Sequence, residues 1–377
     1  MKQYICRALS LLLTLVILCG LFSISAFAAS KKGKLNIVLL DAGRKYFSVA
    51  QIEQILDEMA RDGYTDLELA AANNGCRFLL DDMSVKANGK SYSSEAVKQA
   101  IIAGNNKYYN DPNGNYLTEK DMDTIFAYAH ARGLNIIPLM ETPGHMNALV
   151  YAMETLGIKK DSASPDINNN ISMTIEDVEQ SNFIRALLAK YMKYFRSQDS
   201  EWFNMGCDEV SGYMPKDGKY NLYISYVNCL SRQVKAYGLK PIMFNDILYY
   251  NGLGQGEFDS DIAVAYWNVP AGNIQPAATV ATVEKNGHKV FNHNCLFYYV
   301  VGANESLGSI TYNPFTYKLA KTSMNTLGYT SMSDGTKDDN ILGACISIWC
   351  DYPKNQYDSS KVLDLIHTFA VNNPDYF

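Results

Sequence analysis

Eight short apolar runs, alternating with stretches of helical periodicity, constrain this 377-residue chain more than any other feature. The runs are Leu35–Asp41, Thr65–Ala71, Asn135–Met140, Glu201–Met205, Pro241–Asn245, Ile262–Tyr266, Lys289–Asn292 and Leu342–Ile348. Each has the length of a strand, and most are apolar throughout, as parallel strands buried on both faces are. Between them, Val49–Arg61 places Ile52, Ile55, Leu56 and Met59 on one helical face. Glu119–Arg132 reads as a helix closed by Gly133, and Leu222–Tyr237 as one closed by Gly238. Ser181–Arg196 and Lys361–Val371 complete the helical stretches. A βαβα order implies a parallel sheet, and eight units imply one α/β domain of the (β/α)8 barrel type. Two departures are expected. The gap between the fifth and sixth strands is too short for a full crossover helix, so the fifth helix is irregular or missing. Phe78–Asn115, rich in Asn, Gly and Tyr, reads as an inserted β2–α2 excursion over the barrel mouth. No repeat, linker or low-complexity tract divides the chain, so residues 34–377 are read as one domain.

The barrel has a leader. Lys2 and Arg7 flank the start of the apolar stretch Leu9–Phe22, and Ala26-Phe27-Ala28 fits a signal-peptidase site. Residues 1–28 are therefore read as a secretory signal peptide; Leu18 is bulky for a lipobox before Cys19. No later segment has the length and apolarity of a membrane span. The expected location is extracellular. A net charge of −6 with interspersed signs argues against nucleic acid as a partner. The 27 tyrosines against 3 tryptophans suit sugar faces, though Tyr also fills ordinary cores. Of eight cysteines, Cys6 and Cys19 leave with the signal. The other six, Cys76, Cys207, Cys229, Cys295, Cys345 and Cys350, are irregularly spaced. Oxidation in pairs is open to an exported protein, but Cys207 and Cys345 lie in strand-like runs that favour buried free thiols. No CxxC or His-rich cluster suggests zinc, and no cofactor or metal is expected.

Barrel enzymes carry their chemistry at the C-terminal ends of the strands. Here those ends deliver Asp41 to Phe47, Asn73-Asn74, Glu141 to His145, Asp208-Glu209, Asn245-Asp246, Tyr266-Trp267, His293-Asn294 with Tyr298-Tyr299, and Trp349-Cys350-Asp351. Carboxylates and aromatics gather at one rim without a phosphate loop or metal cage, which suits a carbohydrate site. Taken alone, Asp208-Glu209 could equally cap a helix N-terminus. As a pair at a buried strand end it is costly to desolvate and asks for a chemical role.

These motifs, in this order, resemble glycoside hydrolase family 20, the β-N-acetylhexosaminidases. The resemblance runs from Asp41-Ala42-Gly43-Arg44 through Pro143-Gly144-His145, Gly206-Cys207-Asp208-Glu209 and Tyr266-Trp267 to Trp349-Cys350-Asp351. With Arg77-Phe78-Leu79-Leu80-Asp81-Asp82-Met83 it is most similar to secreted or surface exo-β-N-acetylglucosaminidases of Gram-positive bacteria. The resemblance implies substrate-assisted catalysis, in which the sugar's own 2-acetamido oxygen attacks the anomeric carbon. It implies Glu209 as general acid then base, and Asp208 as holder of the acetamido N–H. It further implies Arg44 at the sugar hydroxyls, with a structural ion pair to Asp41 as the alternative. Trp267 and Trp349 would wall the pocket, and Asp351 would hold the 4- or 6-hydroxyl. Tyr298 or Tyr299, with a lean to Tyr299, would bond the acetamido carbonyl. His145 would support the loop beside Glu209 or be purely structural. Asn204 stands where a histidine is common in the family, and Asn73 and Asn74 where acidic residues are.

Two local expectations follow. Adjacent strand residues point to opposite faces, so the backbone must turn at Asp208-Glu209 for both to reach one sugar. Asp208, as a close like charge, should raise the pKa of Glu209. The implied substrate is a glycan with a terminal β-linked GlcNAc or GalNAc. A lacto-N-biosidase releasing a disaccharide and a catalytically silent glycan-binding protein are the competing readings; the intact carboxylate pair argues against the second.

Overall fold

In the computed structural model, residues 32–158, 170–210, 212–268, 278–305 and 315–377 are described. The apolar leader lies outside them. Eight parallel strands form a single closed ring among the described residues: β1 Leu35–Leu40, β2 Asp66–Asn73, β3 Asn135–Thr142, β4 Trp202–Gly206, β5 Lys240–Phe244, β6 Ala263–Tyr266, β7 Val290–Asn292 and β8 Gly343–Trp349. Closure is made by β1, which pairs in parallel with both β2 and β8, so that Leu39 lies opposite Glu68 on one side and Ser347 on the other. Every strand falls within two residues of its expected position.

Alternation along the strands builds two cores. Ile37 and Leu39 point inward with Ala70, Ile137, Ile242 and Phe291, filling the barrel. Val38 and Leu40 point outward with Leu67 and Leu69 and pack under the helices. Both sets are buried, which is why the strands read as continuous apolar runs. The first helix, Val49–Asp62, begins in a capping box between Ser48 and Gln51 and stops at Gly63, whose φ of 84° gives the left-handed cap. Its buried face contains the expected Ile52, Ile55, Leu56 and Met59.

Between β5 and β6 the described chain holds only a 3-10 turn at Tyr250–Gly252, so the fifth helix is missing as expected. The excursion after β2 differs from expectation in where it lies. Its hairpin, Val85–Ala87 with Lys90–Tyr92, sits on the barrel flank against helix Val178–Ser197, where Asn88 Nδ2 donates to the Glu179 carbonyl at 2.9 Å. Only the return segment reaches the rim. There Arg77 donates to the carbonyls of Arg44, Tyr109 and Asn115. The helix Ser94–Tyr109 inside this excursion escaped sequence reading because Gly104, Asn105 and Asn106 interrupt it. Tertiary packing supplies the reason for the glycine: a Cβ on Gly104 would lie 2.4 Å from the Ala148 carbonyl of helix Asn147–Thr155. All six cysteines outside the leader are free thiols.

Candidate active site

Strand β4 ends in left-handed backbone, with φ of 71° at Gly206, 70° at Cys207 and 45° at Glu209. This is the turn required for neighbouring carboxylates to share a face, and both Asp208 and Glu209 line the same pocket. Positive φ is unfavourable for residues with a Cβ, so the conformation needs external support. Tyr223 Oη donates to the Cys207 carbonyl at 2.5 Å, and the Glu209 amide donates to Asp246 Oδ2 at 2.8 Å. On the other side, Gly144 presses so closely that a Cβ there would lie 2.5 Å from the Asp208 carbonyl oxygen. Strands β3, β4 and β5 thus hold the pair jointly.

His145, in the loop after β3, sits with Nε2 3.3 Å from Glu209 Oε2 and 3.7 Å from Asp208 Oδ2. Its Nδ1 faces two donors, Arg44 Nη2 at 3.3 Å and Asn74 Nδ2 at 3.2 Å. The acidic edge of the ring is therefore Nε2, and its proton points at Glu209. Asn170 Nδ2 donates to the same Glu209 oxygen at 3.3 Å, and Asn170 Oδ1 accepts from Asn74 Nδ2 at 2.7 Å.

These contacts reverse the expected titration of Glu209. Burial pushes its carboxyl up, but the hydrogen bond and charge of His145, with Arg44 behind, hold it below the usual glutamate range. The like-charge penalty falls on Asp208, which burial and Glu209 push up against the pull of His145. His145 is raised: burial opposes its charge, and Asp208 and Glu209 outweigh burial.

Arg44 makes the ion pair with Asp41 that was its alternative reading, and it also lines the pocket. Its Nη1 lies 3.0 Å from Asp41 Oδ2 and 3.1 Å from Asp351 Oδ1, and its backbone amide donates to Asp41 Oδ1. Asp41 is fully buried, whereas the Asp351 side chain is 45% exposed and faces the mouth. Opposite stands an aromatic wall. Trp267 stacks on Tyr298 at 6.3 Å, and Tyr298 meets Trp349 edge-on at 5.7 Å, with Phe244 behind Trp349. Asn245 Oδ1 orients Trp267 by accepting its backbone amide at 2.7 Å. The Tyr298 hydroxyl and both indole nitrogens are buried without a partner among the described residues, which leaves three donors for a ligand.

All but one of the expected site residues are brought together. Arg44, His145, Asp208, Glu209, Trp267, Tyr298, Trp349 and Asp351 line the pocket, and Tyr299 does not. Strand alternation turns Tyr299 outward, where its ring meets Tyr317 at 6.2 Å and its hydroxyl accepts from the Gly302 amide. The lean to Tyr299 is thereby corrected to Tyr298. His293, expected at the rim, is inside the barrel, 3.5 Å from Glu68 Oε2. Sequence reading assigned no role to Glu141 and Asp246, although both stood at strand ends as buried carboxylates. Asn170 and Phe315 come from loops and carried no signal.

The model for the catalytic domain of glycosyl hydrolase family 20 matches residues 37–363. A solved structure of a catalytic module of the pneumococcal exo-β-D-N-acetylglucosaminidase StrH is 34% identical. It covers 92% of this chain and 85% of its own, with a TM-score of 0.86. Dispersin B is 20% identical, covers 90% of this chain and 99% of its own with a TM-score of 0.66, and so shares the fold. A curated lacto-N-biosidase of Bifidobacterium bifidum is 22% identical over 258 residues, which are 63% of this chain and 21% of that protein. The chain thus spans about a fifth of that relative's length.

Proposed function

The chain belongs to glycosyl hydrolase family 20 and is a glycoside hydrolase, and from that premise we propose a secreted, retaining exo-β-N-acetylhexosaminidase that removes terminal GlcNAc from glycans. The observation that carries the reading is that two adjacent carboxylates, Asp208 and Glu209, enter one pocket beside an unpartnered Tyr298 hydroxyl. One carboxyl can meet the glycosidic oxygen while the other meets the 2-acetamido group of the same sugar.

In this reading Glu209 gives its proton to the leaving oxygen as the acetamido oxygen closes on the anomeric carbon, forming an oxazolinium ion. Asp208 accepts the acetamido N–H and balances the positive charge that develops there. The Tyr298 hydroxyl donates to the acetamido oxygen and aims it. Glu209, now ionised, takes a proton from water, and the hydroxide opens the oxazolinium on the face that the leaving group left. Two inversions give net retention. The His145 Nε2–H donates to Glu209 in its ionised state, the state that takes the proton from water. Arg44 and Asp351 grip the outer hydroxyls, and Trp349 carries the apolar face of the ring.

The same reading takes residues 34–377 as the catalytic domain and residues 1–28 as a cleaved signal, with an extracellular product. GalNAc is the alternative terminal sugar. Release of a disaccharide is disfavoured by the Arg44–Asp351 pair at 3.1 Å, which argues for an exo-type pocket. Incubation with a GlcNAc-terminated oligosaccharide, with products read by mass, tests the proposal: loss of one GlcNAc is expected. Disaccharide release, or binding without cleavage, would overturn it. Glu209→Gln should lower turnover by about 10²–10⁴-fold, the usual loss for a removed acid–base catalyst, with Asp208→Asn comparably impaired.

A further inference from the structure

Glu141 stands at the end of β3, 2% exposed, and lines the pocket beside Asp208. The two side chains are within hydrogen-bond contact of each other. Glu141 Oε2, Asp208 Oδ1 and Asp246 Oδ1 are all buried, and no N–H or O–H donor among the described residues reaches them. Two carboxylates in contact without a donor cannot both be ionised away from water.

The surrounding charges sharpen this. Glu141 is faced by Asp208 and Asp246 as anions and by Arg44 as a cation, with Glu209 and His145 beyond Asp208. Arg44 is already matched by Asp41 and Asp351, and His145 lies closest to Glu209. No counter-charge is left for Glu141. Of the three inner carboxyls it is also the one without a competing claim. Asp208 has the His145 edge at 3.7 Å, and Asp246 Oδ2 already accepts the Glu209 amide. The backbone is shaped around the carboxyl as well: a Cβ on Gly206 would lie 1.5 Å from Glu141 Oε2.

We propose that Glu141 is un-ionised at neutral pH and donates its O–H to Asp208, a positioning residue that keeps Asp208 ionised and aimed as an acceptor. Burial and the Asp208 charge hold the Glu141 carboxyl well above the usual range, in the same sense. An O–H···O⁻ bond is among the stronger hydrogen bonds available and uses one lone pair of Asp208. The others remain for the substrate N–H. The inference rests on the reading that Asp208 engages the acetamido group.

The test compares Glu141→Gln, which places an N–H where the carboxyl O–H was, with Glu141→Met, which fills the volume without a donor. The Gln variant should retain kcat/KM on an aryl-GlcNAc substrate. The Met variant should lose about 10-fold or more in kcat. Its acid limb should also move to higher pH, because Asp208 without a donor is harder to ionise. A Gln variant as impaired as Glu209→Gln would mean that the anion is needed, and a Met variant with the wild-type profile would reduce Glu141 to a space-filler. Either result overturns the proposal. The infrared difference between wild type and Glu141→Gln at neutral pH should contain the carbonyl band of an un-ionised carboxyl, and its absence also overturns it. Wild-type turnover is the control: if it is absent, the hydrolase reading fails, while the infrared difference still judges Glu141.

Discussion

Glu68 illustrates how a buried acid can be tolerated when its partners are arranged for the neutral form. It lies on β2 inside the barrel, 1% exposed, and accepts from Asn204 Nδ2 at 2.6 Å with Oε1. Its Oε2 is 3.5 Å from His293 Nε2. Burial pushes the carboxyl up to about 8 and the imidazole down to about 3. At neutral pH both are therefore uncharged, and the carboxyl O–H faces the bare Nε2. Because the folded value of Glu68 lies above its ordinary 4.5, the fold holds a proton that the unfolded chain releases. Its stabilising contribution is complete below about pH 4.5 and is lost as pH rises toward about 8. Glu68→Gln keeps the acceptor for Asn204 and the donor for His293 but cannot titrate. It should remove this Glu68 term, so that the stability of the variant relative to wild type rises with pH across that window, by on the order of a few kcal/mol at the alkaline end, as read by urea unfolding at several pH values. A difference that does not change with pH would mean that Glu68 is ionised in the fold. The contrast with the pocket is instructive. Glu209, a half-buried glutamate, is offered the Nε2 edge of His145 and an Asn170 amide, and those partners favour its ionised form.

At the scale of elements, what the sequence announced and what it concealed divide along a physical line. Strands buried on both faces, such as Val38 to Leu40, leave an apolar run that shows their position directly. The helix Val49–Asp62 shows its face through its 3.6-residue period and its end through Gly63. Site residues at strand ends, Arg44, Asp208, Trp267 and Trp349 among them, were legible because barrel topology says where to look. The choice between Tyr298 and Tyr299 was not, since it depends on a one-residue phase in a short strand pairing with β8. Asn170 and Phe315 depend on long-range folding of loops, and the inserted helix Ser94–Tyr109 on a tertiary contact at Gly104. The titration of Glu209 needed the position of His145, on a different strand end. The turn that ends β4 is where these levels meet. Gly206→Ala would ask a residue with a Cβ to hold φ at 71°, at about 1–2 kcal/mol, and would drive that Cβ into the Glu141 carboxyl. Lower stability with a severe loss of kcat is expected from unfolding and kinetic measurements together. A variant with normal kcat would mean that Glu141 can leave its place without disturbing Asp208.

For the molecule as a whole, the barrel separates chemistry and stability to opposite ends. The pocket gathers the C-terminal ends of the strands, while the strand beginnings are closed by aromatic packing of the chain's last residues. There Tyr329 stacks on Tyr376 at 3.9 Å and 6°, and Phe377 meets Tyr64 edge-on at 4.8 Å. The Tyr329 hydroxyl lies 2.8 Å from both the Leu35 carbonyl and Asn36 Oδ1, and it accepts from the Ala344 amide at 3.1 Å. One buried oxygen thus ties the starts of β1 and β8, the seam where the ring closes. Its removal leaves a backbone donor and acceptors unpaired in the interior, which costs about 1–3 kcal/mol. Tyr329→Phe should accordingly lower unfolding free energy by that amount in a urea titration. It should leave kcat and KM of the folded protein unchanged, because the strand rows between the seam and Arg44 or Asp351 keep both cores filled. If instead KM rises with the loss of stability, then β1 and β8 transmit slack along their length to the Arg44–Asp351 clamp at their far ends, and the two ends of the barrel are not independent.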